Sequence, residues 1–111
     1  TTGLTSRALP ELIVYGLPFH LSGSLLHDMA SQMVAGLALS SGIMIHSATG
    51  EEPDIVVIQA VNTSDMVVTG ALYSDFTALQ LVWPDVDGHF PWEDGYSICA
   101  HHQPLMGVGW V

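Results

Sequence analysis

The residues best suited to chemistry lie in one acidic and aromatic segment, residues 83–93. Its sequence is Trp-Pro-Asp-Val-Asp-Gly-His-Phe-Pro-Trp-Glu. Asp85, Asp87 and His89 alternate along it, and alternate side chains of an extended chain point to the same side. Carboxylates and imidazoles are common metal ligands and common acid–base groups. A metal or acid–base cluster is therefore one use that this loop would allow.

The same loop carries three large aromatic side chains, Trp83, Phe90 and Trp92. Leaving three such rings in water is unfavourable, so some of them must fold back over the core. The loop then serves either as a structural cover or as the wall of a ligand pocket. The sequence leaves both interpretations open.

Glu11 and His101 are the polar residues elsewhere in the chain that could join such a site. Glu11 lies between Pro10 and an apolar run, where it is either solvated at a strand end or buried against Arg7 or backbone donors. The candidate ligand-binding residues are Glu11, Trp83, Asp85, Asp87, His89, Trp92 and His101. No metal-ligand set is assigned, and the catalytic residues and the cofactor stay unknown.

Several catalytic mechanisms lack the residues that they need. A phosphatase with a Trp-Pro-Asp loop needs a cysteine followed six residues later by arginine, but Leu105 stands six residues after Cys99. The chain has no lysine, which excludes Schiff-base and P-loop chemistry. A calcium site of the EF-hand type is also disfavoured, because Trp83, which has no oxygen ligand, would stand at its first ligand position. Cys99, in an apolar setting, is interpreted as a structural thiol.

The charge is strongly one-sided, because eleven carboxylates face a single cation, Arg7, for a formal net charge of −10. Nucleic acids and anionic membranes are bound through Lys and Arg, so neither is an expected partner. The longest apolar stretch, residues 33–45, is interrupted by Gly and Ser and is too short to span a bilayer. One cysteine implies no oxidising compartment, and we expect a cytoplasmic protein.

Short apolar runs framed by Pro and Gly predict strands at residues 11–17, 43–46, 54–61 and 76–83. Residues 1–5 have the composition of the end of a further strand. Apolar residues at three- and four-residue steps predict a helix from Ser22 or Ser24 to about Leu37, with Met29 and Met33 in its buried stripe.

A second, shorter helix could begin at Thr63 or Ser64 and run through Leu72, although residues 66–69 would also suit a strand. The sequence predicts an α+β fold: one small, mostly antiparallel sheet of four to five strands, with one clear helix and the second as an option. We expect a single domain over residues 1–111. Because it begins in mid-strand, we also expect that its native N-terminal segment is missing.

The chain resembles a bacterial domain family of unknown function. The resemblance rests on Thr-Gly-Leu at 2–4, Pro-Glu-Leu-Ile-Val-Tyr-Gly-Leu-Pro at 10–18, Gly36, Leu-Gln-Leu-Val-Trp-Pro-Asp at 79–85, Gly-x-Phe-Pro-Trp at 88–92 and Gln-Pro-Leu at 103–105. It implies a fold and a bacterial origin, marks Glu11 and the loop as hallmark positions, and implies no reaction.

Three classes of function follow as hypotheses, of which the third is an acidic surface that mimics nucleic acid, disfavoured because the carboxylates are scattered along the chain. The first is a non-catalytic module that binds a protein partner, a second copy or a small molecule, since surplus apolar surface favours association. The second is a small metal-dependent or hydrolytic enzyme with a pocket under the loop of residues 83–92. The enzyme hypothesis requires Glu11 and the loop acids to converge on one pocket.

Overall fold

The computed structural model describes residues 3–39, 41–45, 54–61, 63, 66–73, 76–85, 88–97 and 103–107. The elements in chain order are a 3-10 helix η1 (Leu4–Arg7), β1 (Glu11–Ile13), α1 (Phe19–Val34), β2 (Met44–Ile45), β3 (Ile55–Gln59), α2 (Val67–Leu72) and β4 (Ala78–Val82).

The four strands form one sheet in the order β1-β4-β3-β2. β1 runs parallel to β4, whereas β4 pairs with β3, and β3 with β2, in antiparallel orientation. The predicted α+β class with four strands and a second helix is confirmed. The sheet is mixed, with two antiparallel pairings and one parallel pairing. The central strands, β3 and β4, are buried along almost their whole length, which explains their continuous apolar sequences.

α1 covers one face of the sheet. Met29 and Met33, which are 7% and 3% exposed, pack with Leu12, Val57 and Leu81 in one apolar cluster. The predicted apolar stripe is thus confirmed at its centre. Its outer members, such as Val34 and Leu37, are exposed, because the stripe is wider than the sheet surface that α1 contacts. No helix in the described part of the chain is long and apolar enough to cross a membrane.

The predicted start of α1 at Ser22 or Ser24 was wrong. The helix begins at Phe19, directly after Pro18, and no side chain caps its N-terminus. Proline fixes φ near the value that entry into a helix requires, so Pro18 can lead into the helix without a serine cap. The hydroxyl of Ser22 instead donates a hydrogen bond to the carbonyl of Leu17.

The second face of the sheet is covered by part of the loop of residues 83–97, which we call the aromatic loop, and by the chain near its C-terminal end. Phe90, Trp92 and Leu105 pack on the apolar side chains of Val56 and Val82. Next to them, Met106 packs in a cluster with Ala60, Met66 and Ala78. We call residues 103–107 the C-terminal strap.

The expectation of a strand end at residues 1–5 was also wrong. Leu4–Arg7 form η1, and Ala8 ends it in the left-handed conformation with φ 59°. The physical reason is the side chain of Glu11, whose carboxylate gathers the N–H groups at the start of η1. Thr1 and Thr2 lie outside the described residues.

The strap approaches β3 so closely that only glycine fits at residue 107. A Cβ atom added to Gly107 would lie 1.9 Å from the carbonyl oxygen of Gln59. We therefore expect Gly107→Ala to lower the free energy of unfolding by about 2 kcal/mol or more, as overpacking does. Gly23→Ala is the matched control, because no heavy atom lies within 4 Å of a Cβ there and Gly23 is in α1. It should stabilise the protein by about 0.5–1 kcal/mol. Chemical denaturation measures both variants, and equal effects would contradict the close approach.

Candidate functional site

Glu11 is fully buried at the start of β1, and its carboxylate is a hydrogen-bond acceptor for η1. Its Oε2 atom accepts the N–H groups of Gly3 at 3.2 Å and Thr5 at 2.7 Å, and the Thr5 hydroxyl at 2.5 Å. Its Oε1 atom accepts the N–H of Leu4 at 3.2 Å.

These N–H groups are the ones that the first turn of a helix leaves without partners, and a negative charge is favoured at that end. Of the two environments that the sequence allowed for Glu11, the buried one is observed, with backbone donors around the carboxylate. Its oxygens point at the backbone of η1, so Glu11 positions this turn.

Asp85 organises the loop that follows β4 and is 5% exposed. Its Oδ1 atom accepts the N–H of His89 at 2.9 Å, and its Oδ2 atom accepts the N–H and the hydroxyl of Ser97 at 2.9 and 3.1 Å. Its own N–H donates to the His89 carbonyl at 2.8 Å. Asp85 therefore ties the two ends of the loop together.

The imidazole of His89 lies beside this carboxylate without a hydrogen bond to it. Nδ1 is 3.8 Å from Oδ2 of Asp85 and has no hydrogen-bond partner, although the side chain is 41% exposed. The ring packs against Gly95, where an added Cβ would lie 3.2 Å from Cε1. His89 is thus held at the loop surface by packing.

The two tryptophans of the loop lie on opposite faces of the sheet. The indole N–H of Trp83 donates to the carbonyl of Tyr15 at 2.6 Å, and the ring packs on the face that α1 covers. Trp92 lies on the other face and stacks on Phe90, with ring centroids 5.3 Å apart and planes 5° apart. The rings fold back over the core, as the structural-cover interpretation expects, and they do not enclose a common pocket.

Two buried glutamines, which belong to the blocks of the family resemblance but were not among the candidate site residues, attach the C-terminal strap to β4. Gln80 is fully buried; its amide N–H donates to the Pro104 carbonyl and its amide oxygen accepts the N–H of Met106, both at 2.8 Å. These two hydrogen bonds satisfy strap backbone groups that a neighbouring strand would satisfy in a regular sheet. The sequence does contain a signal for the role of Gln80, because a polar residue stands at the centre of the apolar strand Ala-Leu-Gln-Leu-Val.

Gln103 makes the corresponding contact from the strap and is 1% exposed. Its amide oxygen accepts the N–H of Trp83 at 2.9 Å, and its amide nitrogen donates to the Trp83 carbonyl at 2.8 Å. The same nitrogen donates to the Tyr96 hydroxyl at 3.1 Å. Gln103 therefore fixes the exit of β4 and the end of the aromatic loop together.

The predicted site residues do not form one site. Glu11 pairs with Ala78 at the start of β4, whereas Asp85 follows Val82 at its end, and five strand residues span roughly 13 Å. Asp87 and His101 lie outside the described residues, as does Cys99. Within the part of the chain that is described, no three His, Cys, Asp or Glu side chains gather into a group that could hold a metal.

A cavity of about 420 Å³ lies instead at the Glu11 end of the sheet. It is a shallow pocket that is largely open to solvent, and the described residues that line it are Thr5, Ala8, Leu9, Pro10, Phe76 and Thr77. These residues were not predicted from the sequence, because the cavity depends on the turn of η1 and no local pattern predicts that turn.

Residues 1–97 match a protein-family model described as a domain of unknown function, DUF4262. The chain belongs to this family. No curated protein matches it, and no solved structure matches it. The expectation of a family of unknown function is confirmed. The DUF4262 match includes Glu11, Asp85 and the aromatic loop, and it ends before the strap that Gln80 binds.

Glu11→Gln tests the role of the buried carboxylate. The amide has one acceptor oxygen and turns an NH₂ group toward N–H donors, which leaves donors of η1 unpaired. We expect the free energy of unfolding to fall by about 3 kcal/mol, with faster hydrogen exchange at the amides of Leu4 and Thr5. The control is Asp28→Asn, an exposed carboxylate on α1, which should have little effect. A Glu11→Gln variant as stable as this control would show that the carboxylate is not needed for the turn.

Asp85→Asn tests whether the second carboxylate closes the loop. One amide side chain cannot accept all the hydrogen bonds that reach Asp85, so we expect a loss of about 1–3 kcal/mol. Hydrogen exchange should accelerate at the amides of His89 and Ser97. Asp94→Asn is the control, because Asp94 is an exposed acid in the same loop. If both substitutions leave exchange unchanged, Asp85 does not hold the loop closed.

Proposed function

We propose that this DUF4262 domain is a non-catalytic module that binds a protein with a basic surface through the outer side of α2. The observation that carries the proposal is the composition of that surface. Val67 and Leu72 are 72% and 67% exposed, and Gly70 and Ala71 between them are exposed as well. The inner side of α2 packs on the core through Met66 and Thr69, which are buried.

A short helix that is apolar on both sides is normally covered on both sides. Val61, which is 75% exposed just after β3, adds a further apolar side chain outside the core. Burying a valine or leucine side chain contributes about 1.5–3 kcal/mol. The outer side of α2 therefore offers apolar side chains of the kind that form the centre of a protein interface.

The charge of the chain indicates which partner fits. With eleven carboxylates and one cation, for a net charge of −10, the domain attracts a positively charged surface and accelerates its association. A second copy would bring two strongly negative surfaces together. We therefore favour a basic partner, in the cytoplasm, over self-association.

The alternative of a small metal-dependent or hydrolytic enzyme has less support. The enzyme hypothesis requires a pocket under the loop of residues 83–92. Trp83 and Trp92, however, pack on opposite faces of the sheet. Asp85 accepts hydrogen bonds from the loop itself, and Glu11 accepts them from η1. Both carboxylates thus have structural tasks at opposite ends of β4.

A photo-crosslinking side chain at position 67 or 72 tests the proposal in cells. We expect the same partner from both positions and none from position 27, an exposed residue of α1. With the purified partner, the double variant Val67→Ser/Leu72→Ser should weaken binding by about tenfold or more, and added salt should weaken it further.

The same crosslinking experiment has two outcomes that would contradict the proposal. Crosslinks to a second copy, supported by sedimentation of the purified domain as a dimer, would replace the basic partner with self-association. Identical crosslinks from positions 67 and 27 would show that the outer side of α2 is not an interface.

A further inference from the structure

The cavity beside η1 has a defined pattern of polar and apolar groups. Its described lining combines three apolar residues, Leu9, Pro10 and Phe76, with two residues that carry a hydroxyl group, Thr5 and Thr77. At about 420 Å³, the cavity falls within the range of sites that hold small molecules, about 300–1,000 Å³. Among the described residues that line it, none is charged.

The hydroxyl of Thr5 constrains what could bind there. It donates its proton to Oε2 of Glu11 at 2.5 Å, and a hydroxyl has only one proton to donate. Toward the cavity the Thr5 oxygen can therefore act only as an acceptor, and donation to a carboxylate strengthens it in this role. A ligand that meets this oxygen must bring an N–H or O–H group.

The electrostatic setting selects among such donors. The Glu11 carboxylate lies directly behind Thr5, and the whole chain carries a net charge of −10. The only cation, Arg7, is exposed and does not line the cavity. A cationic donor is therefore favoured over a neutral one, and an anion is disfavoured.

The backbone at the cavity is shaped by the end of η1. Ala8 lines the cavity and has φ 59°, a conformation that favours glycine. This conformation ends η1 and turns the chain along the cavity. Among the described residues, Ala8 is the only non-glycine residue with a positive φ.

We propose that this cavity binds a small molecule that carries a primary amine on a short apolar body. The amine donates to the Thr5 hydroxyl oxygen, and the apolar body packs between Leu9, Pro10 and Phe76. The site is separate from the outer side of α2, so this proposal and the proposed protein interface can fail independently.

Amide chemical shifts of the isotope-labelled domain, titrated with three probes, test the proposal. Benzylamine should cause saturable shifts at Thr5, Ala8, Leu9, Phe76 and Thr77. Benzyltrimethylammonium has the same ring and charge but no N–H donor, and it should bind about fivefold more weakly or worse, the equivalent of about 1 kcal/mol. Benzoate, with the opposite charge, should not bind.

Charge variants at the rim provide the second measurement. Thr77 is exposed, so Thr77→Lys and Thr77→Asp can be made without disturbing the core. We expect Thr77→Lys to weaken benzylamine binding about threefold or more and Thr77→Asp to strengthen it, as nearby like and opposite charges do. Val67→Lys changes the net charge equally but lies on α2, and it should leave the affinity unchanged.

Three results would overturn the proposal. The first is that benzylamine causes no saturable shifts at the cavity residues. The second is that benzyltrimethylammonium binds as tightly as benzylamine. The third is that Thr77→Lys and Val67→Lys reduce binding equally, which would show general attraction to an acidic protein.

Discussion

The hydrogen bonds between the Glu11 carboxylate and the start of η1 are the interaction on which the N-terminal turn and its place on the sheet depend. A fully buried carboxylate is tolerated only when hydrogen-bond donors surround it. Here the donors are N–H groups of residues 3–5 and a hydroxyl. Because Glu11 also begins β1, which pairs with β4, one side chain fixes η1 relative to the sheet and creates the cavity between them.

The same principle recurs elsewhere along β4 and in the segments that follow it. Gln80, Gln103 and Asp85 are each about 5% exposed or less, and each holds a segment of irregular backbone in place. A segment without regular structure cannot satisfy its own N–H and C=O groups, so buried side chains must do so. The buried polar groups of this domain therefore explain how its loops are held in place.

The sequence predicted the parts of the fold that depend on local patterns. The apolar runs of β3 and β4 and the periodic stripe of α1 follow from burial alone. η1 could not be predicted in this way, because its N–H donors meet a carboxylate from six to eight residues further along the chain. The candidate residues were chosen for their chemistry, and Asp85 and Glu11 are indeed buried and hydrogen-bonded. What spacing cannot reveal is whether their partners are backbone groups or a ligand.

That distinction decides where function can lie in this domain. When a side chain that satisfies backbone groups turns to a ligand instead, the folded state loses stability. The backbone N–H or C=O groups that it leaves would then be buried without partners. Binding is less costly at groups that the fold leaves partly unused, such as the outward side of the Thr5 hydroxyl or the exposed apolar residues of α2. These lie at the border between core and solvent, where a partner can bury apolar surface without breaking an internal hydrogen bond. The fold thus assigns its acidic residues two roles. Buried Glu11 and Asp85 hold the chain together, and the exposed acids give the surface a charge that selects which partners approach.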